Sequence, residues 1–101
     1  MSAKDARELA KARAALLALF PAMPAADVER VLDHAFRKGS GRVGRTGGHS
    51  IERRASLAVG AHIRHEYTEY DGLIAEVGRE EARKRIRDQL ERIKQRWTGR
   101  E

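Results

Sequence analysis

The sequence contains no cysteine, two prolines, and only five aromatic residues of the Phe, Tyr and Trp types. The missing cysteines exclude disulfide bonds and thiolate metal sites, and they agree with a reducing cytoplasm. No apolar run approaches the ~18 residues of a transmembrane helix, so we expect a cytoplasmic protein with no membrane partner. The alanine- and leucine-rich start includes acidic residues and keeps a helical period, unlike a signal peptide.

β-Branched residues and alternating strand patterns are scarce, whereas Ala, Glu, Arg and Leu are abundant. This composition favours helices over strands. A chain of 101 residues is the usual size of one domain and buries one modest core. With so few aromatic residues, that core must be mainly aliphatic. We therefore predict a single all-α domain over residues 1–101, with four main helices and one short helix.

The first half of the chain reads as two helices followed by a loop. Pro21 ends the first helix, because proline cannot donate the next backbone hydrogen bond. Pro24 suits the first turn of the second helix, which carries the clearest apolar stripe in the chain. Residues 39–49 contain five glycines and one large apolar side chain, so they are predicted to form a glycine-rich basic loop.

The second half shows clear start and stop signals. Ser50 is a good N-cap for the third helix, and Thr68 predicts a break near Tyr67. A short helix should then stop at Gly78, and the last helix should cover residues 79–97. The apolar stripe of that last helix comprises Ala82, Ile86, Leu90, Ile93 and Trp97.

Positive charge is concentrated between residues 37 and 64. This window holds seven Lys or Arg residues and one acid, a balance of +6, which equals the formal net charge of the chain. Such a cluster indicates an anionic polymer as partner. The residues predicted to contact phosphates of DNA or RNA are Arg37, Lys38, Arg42, Arg45, Arg53 and Arg54.

Residues 39–46, GSGRVGRT, partly match two nucleotide-binding patterns, the P-loop and GxGxxG. Both motifs require a strand before the loop, and here a helix precedes it. The sequence therefore predicts neither nucleotide hydrolysis nor a cofactor. The loop still suits an anion, because glycines let backbone N–H groups approach closely and a helix begins at Ser50.

A second cluster of polar residues follows on the third helix. His62, His65, Glu66 and Asp71 include the residue types that bind metals or transfer protons. His62, however, falls within the apolar stripe that starts at Ile51. We therefore expect a structural hydrogen-bond network, with Glu66 one helical turn away as the partner of His62.

Three blocks of sequence resemble the domain-of-unknown-function family 2293, which is found in bacterial and fungal proteins. They are FPAMPAADVERVLDHAFRKGSGRVGRTG, AVGAHIRHEYTEYDGLI and REEARKRIRDQLERIKQRW, within residues 20–97. The resemblance implies a compact domain. It implies no activity or ligand, and no functional residues can be transferred.

The leading hypothesis is a non-enzymatic module that binds the nucleic-acid backbone through the basic loop and the start of the third helix. The first alternative is a small metal- or histidine-dependent phosphodiester hydrolase, which requires the histidine cluster to lie in an open cleft. The second is a protein-interaction domain, whose apolar helices form a homodimer and whose basic loop binds an acidic partner.

Overall fold

The computed structural model describes residues 3–36 and 49–100, and these residues form helices joined by short connections. The helices are α1 (Ala3–Leu19), α2 (Ala25–Val31), α3 (Ile51–Tyr67) and α4 (Tyr70–Trp97). No strand occurs in this part of the chain, which confirms the predicted all-α class. None of the helices among these residues has the length and apolar character needed to cross a membrane.

Helix α1 buries one narrow face and ends at Leu19, just before Pro21. Its core side chains include Ala12 and Leu16, and the chain buries Phe20 directly after the helix. Leu17, the residue after Leu16, is 51% exposed. The reason is rotation, since consecutive residues lie about 100° apart and Leu16 already faces the core.

Helix α2 continues into a π-helical turn at Leu32–Phe36. Val28, Val31, Leu32 and Ala35 are buried, as the apolar stripe predicted. The π-helical turn was not predicted, because hydrophobic spacing alone does not distinguish one wide turn from an α-helical one. Such turns are rare and occur frequently at functional sites.

Helix α3 lies at the centre of the core and contacts both α1 and α4. Its N-cap is Ser50, whose Oγ accepts a hydrogen bond from the Arg53 backbone N–H at 3.1 Å, as predicted. The buried residues Ala55, Val59 and Ile63 lie at four-residue intervals along one face.

Helix α4 is broken at Gly78, where φ is 85° and ψ is 167°. This conformation, which is essentially restricted to glycine, separates the short helix from the long one at the predicted position. The stripe of the long part packs with Trp97 against the core of α1–α3, while Ala82 and Ile86 form a second cluster with Tyr70. The Ala22 N–H donates to the carbonyl of Trp97 at 2.9 Å, which fixes the end of α4 beside the turn after α1.

Candidate functional site

Of the six residues predicted to contact phosphates, Arg53 and Arg54 lie in the described part of the chain. Arg37, Lys38, Arg42 and Arg45, together with most of the glycine-rich segment, lie outside the described residues. Arg53 is exposed in the first turn of α3, next to the Ser50 cap. Its guanidinium is therefore placed in solvent at the positive end of a helix dipole.

Arg54 has a different environment from its neighbour. Its guanidinium carbon lies 6.0 Å from the centre of the Phe36 ring, and its Nη2 is 4.0 Å from the carboxylate of Glu8. Only 20% of the side chain is exposed. Arg54 thus connects α3 to α1 and to the π-helical turn, and its stem helps to cover the core edge.

A buried carboxylate lies at the centre of the polar cluster between α2 and α3. Asp27, in the first turn of α2, is only 5% exposed. Its Oδ1 is 2.7 Å from His62 Nε2, and the Tyr67 hydroxyl donates to Oδ1 at 3.0 Å and to Oδ2 at 2.9 Å. The partner of His62 is therefore Asp27 rather than Glu66, which corrects the sequence-based expectation. Because the carboxylate only accepts, Nε2 carries the proton in this pair.

The pKa of Tyr67 is raised above its ordinary value. Burial is the largest cause, followed by the hydrogen bond to Asp27 and the negative charge of that carboxylate. Although the residue is 41% exposed, its hydroxyl end lies against the buried carboxylate. The phenol therefore keeps its proton as the donor of the cluster.

His65 forms a second histidine–aspartate pair one turn further along α3. Its Nδ1 lies 2.7 Å from Asp71 Oδ1, and both side chains are about half exposed. The imidazole packs edge-on against Tyr70 at 5.7 Å, and Arg64 stacks on that same ring at 5.3 Å. Asp71 thus fixes which nitrogen of His65 carries a proton, and Tyr70 supports the ring.

His62 of the first pair and both members of the second pair, His65 and Asp71, line one open cleft of about 870 Å³ between α2, the π-helical turn and α3. Its apolar wall includes Val31, Ala35, Leu57, Ala58 and Ala61. Its polar side chains, apart from the two paired histidines and Asp71, are Arg30, Asp33, His34 and Glu66. The four residues of the predicted cluster, His62, His65, Glu66 and Asp71, are therefore brought to one place. Within residues 3–36 and 49–100, however, no three acidic or histidine side chains converge closely enough to hold a metal ion.

Residues 15–98 match the family described as an uncharacterized conserved protein, DUF2293. The chain belongs to this family. The match contains the predicted region 20–97, as well as α2, α3, α4 and every residue of the cleft. No curated protein and no solved structure is similar enough to this DUF2293 domain to match it.

The long part of α4 gives the DUF2293 domain another cationic surface. Residues 79–100 hold nine Lys or Arg and four acids, a balance of +5. Outside the basic window, positive charge is therefore concentrated in this segment rather than spread evenly along the chain. Arg83 and Arg87 lie on one side of the apolar stripe, and Arg92 and Arg96 lie on the other. Arg85 Nε donates a hydrogen bond to Glu81 Oε2 at 3.2 Å. Acids therefore neutralise part of the positive charge on this surface.

Sequence reasoning missed Asp27 as a member of the cluster. The helix dipole alone accounts for an acid in the first turn of a helix, and Asp27 lies 35 positions before His62. Pairing over such a distance depends on how α2 packs against α3, which residue spacing does not reveal. One signal was available: Asp27 lies four residues before Val31, so it falls on the same, apolar face of the helix, where burial is expected.

Proposed function

We propose that this DUF2293 domain binds nucleic acid through phosphate contacts made by the basic segment, residues 37–54. The observation that carries the proposal is the charge distribution, since the window 37–64 holds a balance equal to the entire net charge of +6. A patch of one sign attracts a polyanion over a distance and releases its counterions on contact. The segment contains no pattern for reading bases, so we expect little sequence preference.

The exposure of Arg53 supports the position of this interface at the start of α3. The guanidinium is in solvent, and the Ser50 cap orders the first turn next to it. A phosphate at this position would meet both a mobile cation and the positive end of a helix dipole. Arg54 supports the packing of the same region, and its half-buried guanidinium leaves less of its charge available.

The surface of α4 is a weaker competitor for the same ligand. Glu81 engages Arg85, and the exposed acids Glu80, Asp88 and Glu91 lie on the outward face between the two rows of cations. A phosphate backbone laid across that face would meet carboxylates as well as guanidinium groups. We therefore expect the cations of α4 to add to the electrostatic attraction of nucleic acid, while the basic segment makes the main phosphate contacts.

The test is a binding titration at several salt concentrations with duplex DNA, single-stranded DNA and RNA. Each phosphate contact contributes about 0.7–0.9 to the slope of log affinity against log salt. The double variant Arg42→Ala/Arg45→Ala should flatten this slope by about 1.4–1.8 and weaken all sequences alike. Arg85→Ala/Arg92→Ala removes the same number of charges from α4 and should change the slope less.

Arg53→Ala and Arg54→Ala are a matched pair of single substitutions within the same experiment. We expect Arg53→Ala to reduce the slope by up to about 0.9 at unchanged thermal stability, because the side chain is exposed. Arg54→Ala should lower thermal stability, since it removes the contacts to Phe36 and Glu8. If the Arg42/Arg45 variant binds as tightly as the parent at low salt, the basic segment is not the interface.

A further inference from the structure

We propose that the cleft between α2 and α3 cleaves RNA by acid–base chemistry, with His62 and His65 as the two proton-transferring groups. This inference rests on the proposed nucleic-acid binding, because the cleft would act on a strand that the domain has bound. It adds a catalytic site and a substrate class, RNA as opposed to DNA.

The first support is that each imidazole has its own aspartate. Asp27 contacts Nε2 of His62 and Asp71 contacts Nδ1 of His65, both at 2.7 Å. A carboxylate in this position fixes the tautomer and the orientation of the ring, and it leaves the other ring nitrogen to exchange a proton with a ligand. The remaining nitrogens are Nδ1 of His62 and Nε2 of His65.

The second support is the position of the pair. The two histidines are three residues apart on α3, which places their Cβ atoms about 5–6 Å from each other. Both line the same cleft, where 49% of the His65 side chain and 9% of the His62 side chain are exposed. Two proton-transferring groups with this spacing can reach the attacking and the leaving oxygen on either side of one phosphorus atom.

The third support is that, within residues 3–36 and 49–100, the side chains lining the cleft include no Ser, Thr, Cys or Lys to act as nucleophile. RNA supplies its own nucleophile in the ribose 2′-hydroxyl. One neutral imidazole removes the 2′-proton as the 2′-oxygen bonds to phosphorus, and the P–O5′ bond breaks. The other, protonated imidazole gives its proton to the departing 5′-oxygen. The products are a 2′,3′-cyclic phosphate and a 5′-hydroxyl, and no other reactant is consumed.

The charges that face the cleft are compatible with a phosphate. Arg30 and His34 line the α2 side. Among the acids, Asp27 and Asp71 are engaged by the two histidines, and Asp33 lies within the electrostatic influence of Arg13. Glu66 adds a negative charge on the α3 side, and Arg30 lines the α2 side of the same cleft.

The experiment measures cleavage of a short single-stranded RNA that is incubated with the full chain in the presence of a metal chelator. Mass spectrometry identifies the ends of the RNA products. We expect cleavage to 2′,3′-cyclic phosphate ends and a bell-shaped pH–rate profile. DNA and 2′-O-methyl RNA of the same sequence should stay intact. His65→Ala should lower the rate by about 10²–10⁴-fold. Its fold should persist, because the imidazole is half exposed.

Asp71→Asn tests the positioning role, and Asp88→Asn on α4 is its matched control. We expect Asp71→Asn to slow cleavage and to change the pH–rate profile without changing the melting temperature. Asp88→Asn should cleave at the parent rate, because this exposed side chain is not one of the residues that line the cleft. An Asp71→Asn protein that cleaves with the parent's rate and profile would remove that aspartate from the proposal.

Binding to 2′-O-methyl RNA separates the two proposals, because this ligand cannot be cleaved by its own 2′-oxygen. If the protein binds it but leaves RNA intact, the cleavage proposal is wrong and the binding proposal stands. Equal cleavage by the parent and by His65→Ala would identify a contaminating nuclease and also overturn the site. If the protein neither binds 2′-O-methyl RNA nor cleaves RNA, both proposals are wrong.

Discussion

Asp27 is a buried carboxylate that accepts hydrogen bonds from two other side chains at the edge of the core. It is buried at the start of α2 and accepts hydrogen bonds from His62 and from the Tyr67 hydroxyl. Trp97 packs edge-on against Tyr67 at 5.5 Å, so the cluster also touches the end of α4. A buried charge is tolerated only with such partners, and loss of any one of them should weaken the fold.

We predict that Tyr67→Phe lowers the free energy of unfolding at neutral pH by about 1.5–3 kcal/mol, the usual net value of a hydrogen bond to a charged group. The folded pKa of Tyr67 is raised, mainly by burial and then by Asp27. The folded state therefore holds the phenol proton more tightly than the unfolded chain does. The protonated Tyr67 hydroxyl therefore makes its full contribution to the free energy of unfolding below the unfolded pKa of about 10. This contribution is lost as pH rises through the folded pKa of Tyr67.

Urea denaturation of the parent and of Tyr67→Phe at neutral pH and above pH about 10 measures this contribution. The difference between the two proteins should shrink in the alkaline series. Tyr70→Phe is the control, because the ring that contacts His65 and Arg64 is kept. A constant difference at all pH values would show that the hydroxyl acts only through packing.

At the scale of the helices, the break at Gly78 lets Tyr70 in the short part of α4 pack with Ala82 and Ile86 in the long part. These residues form the second hydrophobic cluster. We predict that Gly78→Ala lowers the free energy of unfolding by about 1–3 kcal/mol, the cost of a non-glycine residue in this conformation. No atom lies within 4 Å of the added Cβ, so the cost comes from the backbone alone.

Gly72→Ala is a matched substitution in the short part of the same helix. Its added Cβ also meets no atom within 4 Å, and the glycine has no positive φ. Here alanine should stabilise the helix by roughly 0.5–1 kcal/mol. Guanidinium or urea unfolding of both variants provides the comparison, and a Gly78→Ala protein as stable as the parent would contradict the assigned role of the turn.

The helices could be predicted from the sequence because their signals are local. Ser50 caps α3, and Gly78 interrupts α4, because each acts within one turn of its own position. The pairing of Asp27 with His62 could not be predicted, since it joins residues from different helices. Spacing likewise placed His62 and His65 on neighbouring faces, but the cleft exists only because α2 packs opposite them.

For the whole molecule, the two hydrophobic clusters are connected through Leu90, which packs against both. We therefore predict that they unfold together as one cooperative unit. In an NMR urea titration, the native amide signals of Val59 in the larger cluster and of Ile86 in the smaller one should disappear with the same midpoint. An earlier loss of the Ile86 signal would show that α4 separates from the rest of the domain first.

Trp97 gives the molecule an intrinsic fluorescent probe beside the polar cluster. It is the chain's one tryptophan, and its ring centre lies 6.4 Å from that of His62 and 5.5 Å from that of Tyr67. An indole this close to both rings senses changes in their charge and position, while its burial shields it from bulk solvent. Its fluorescence emission therefore reports events at the wall of the cleft from inside the core, without an added dye.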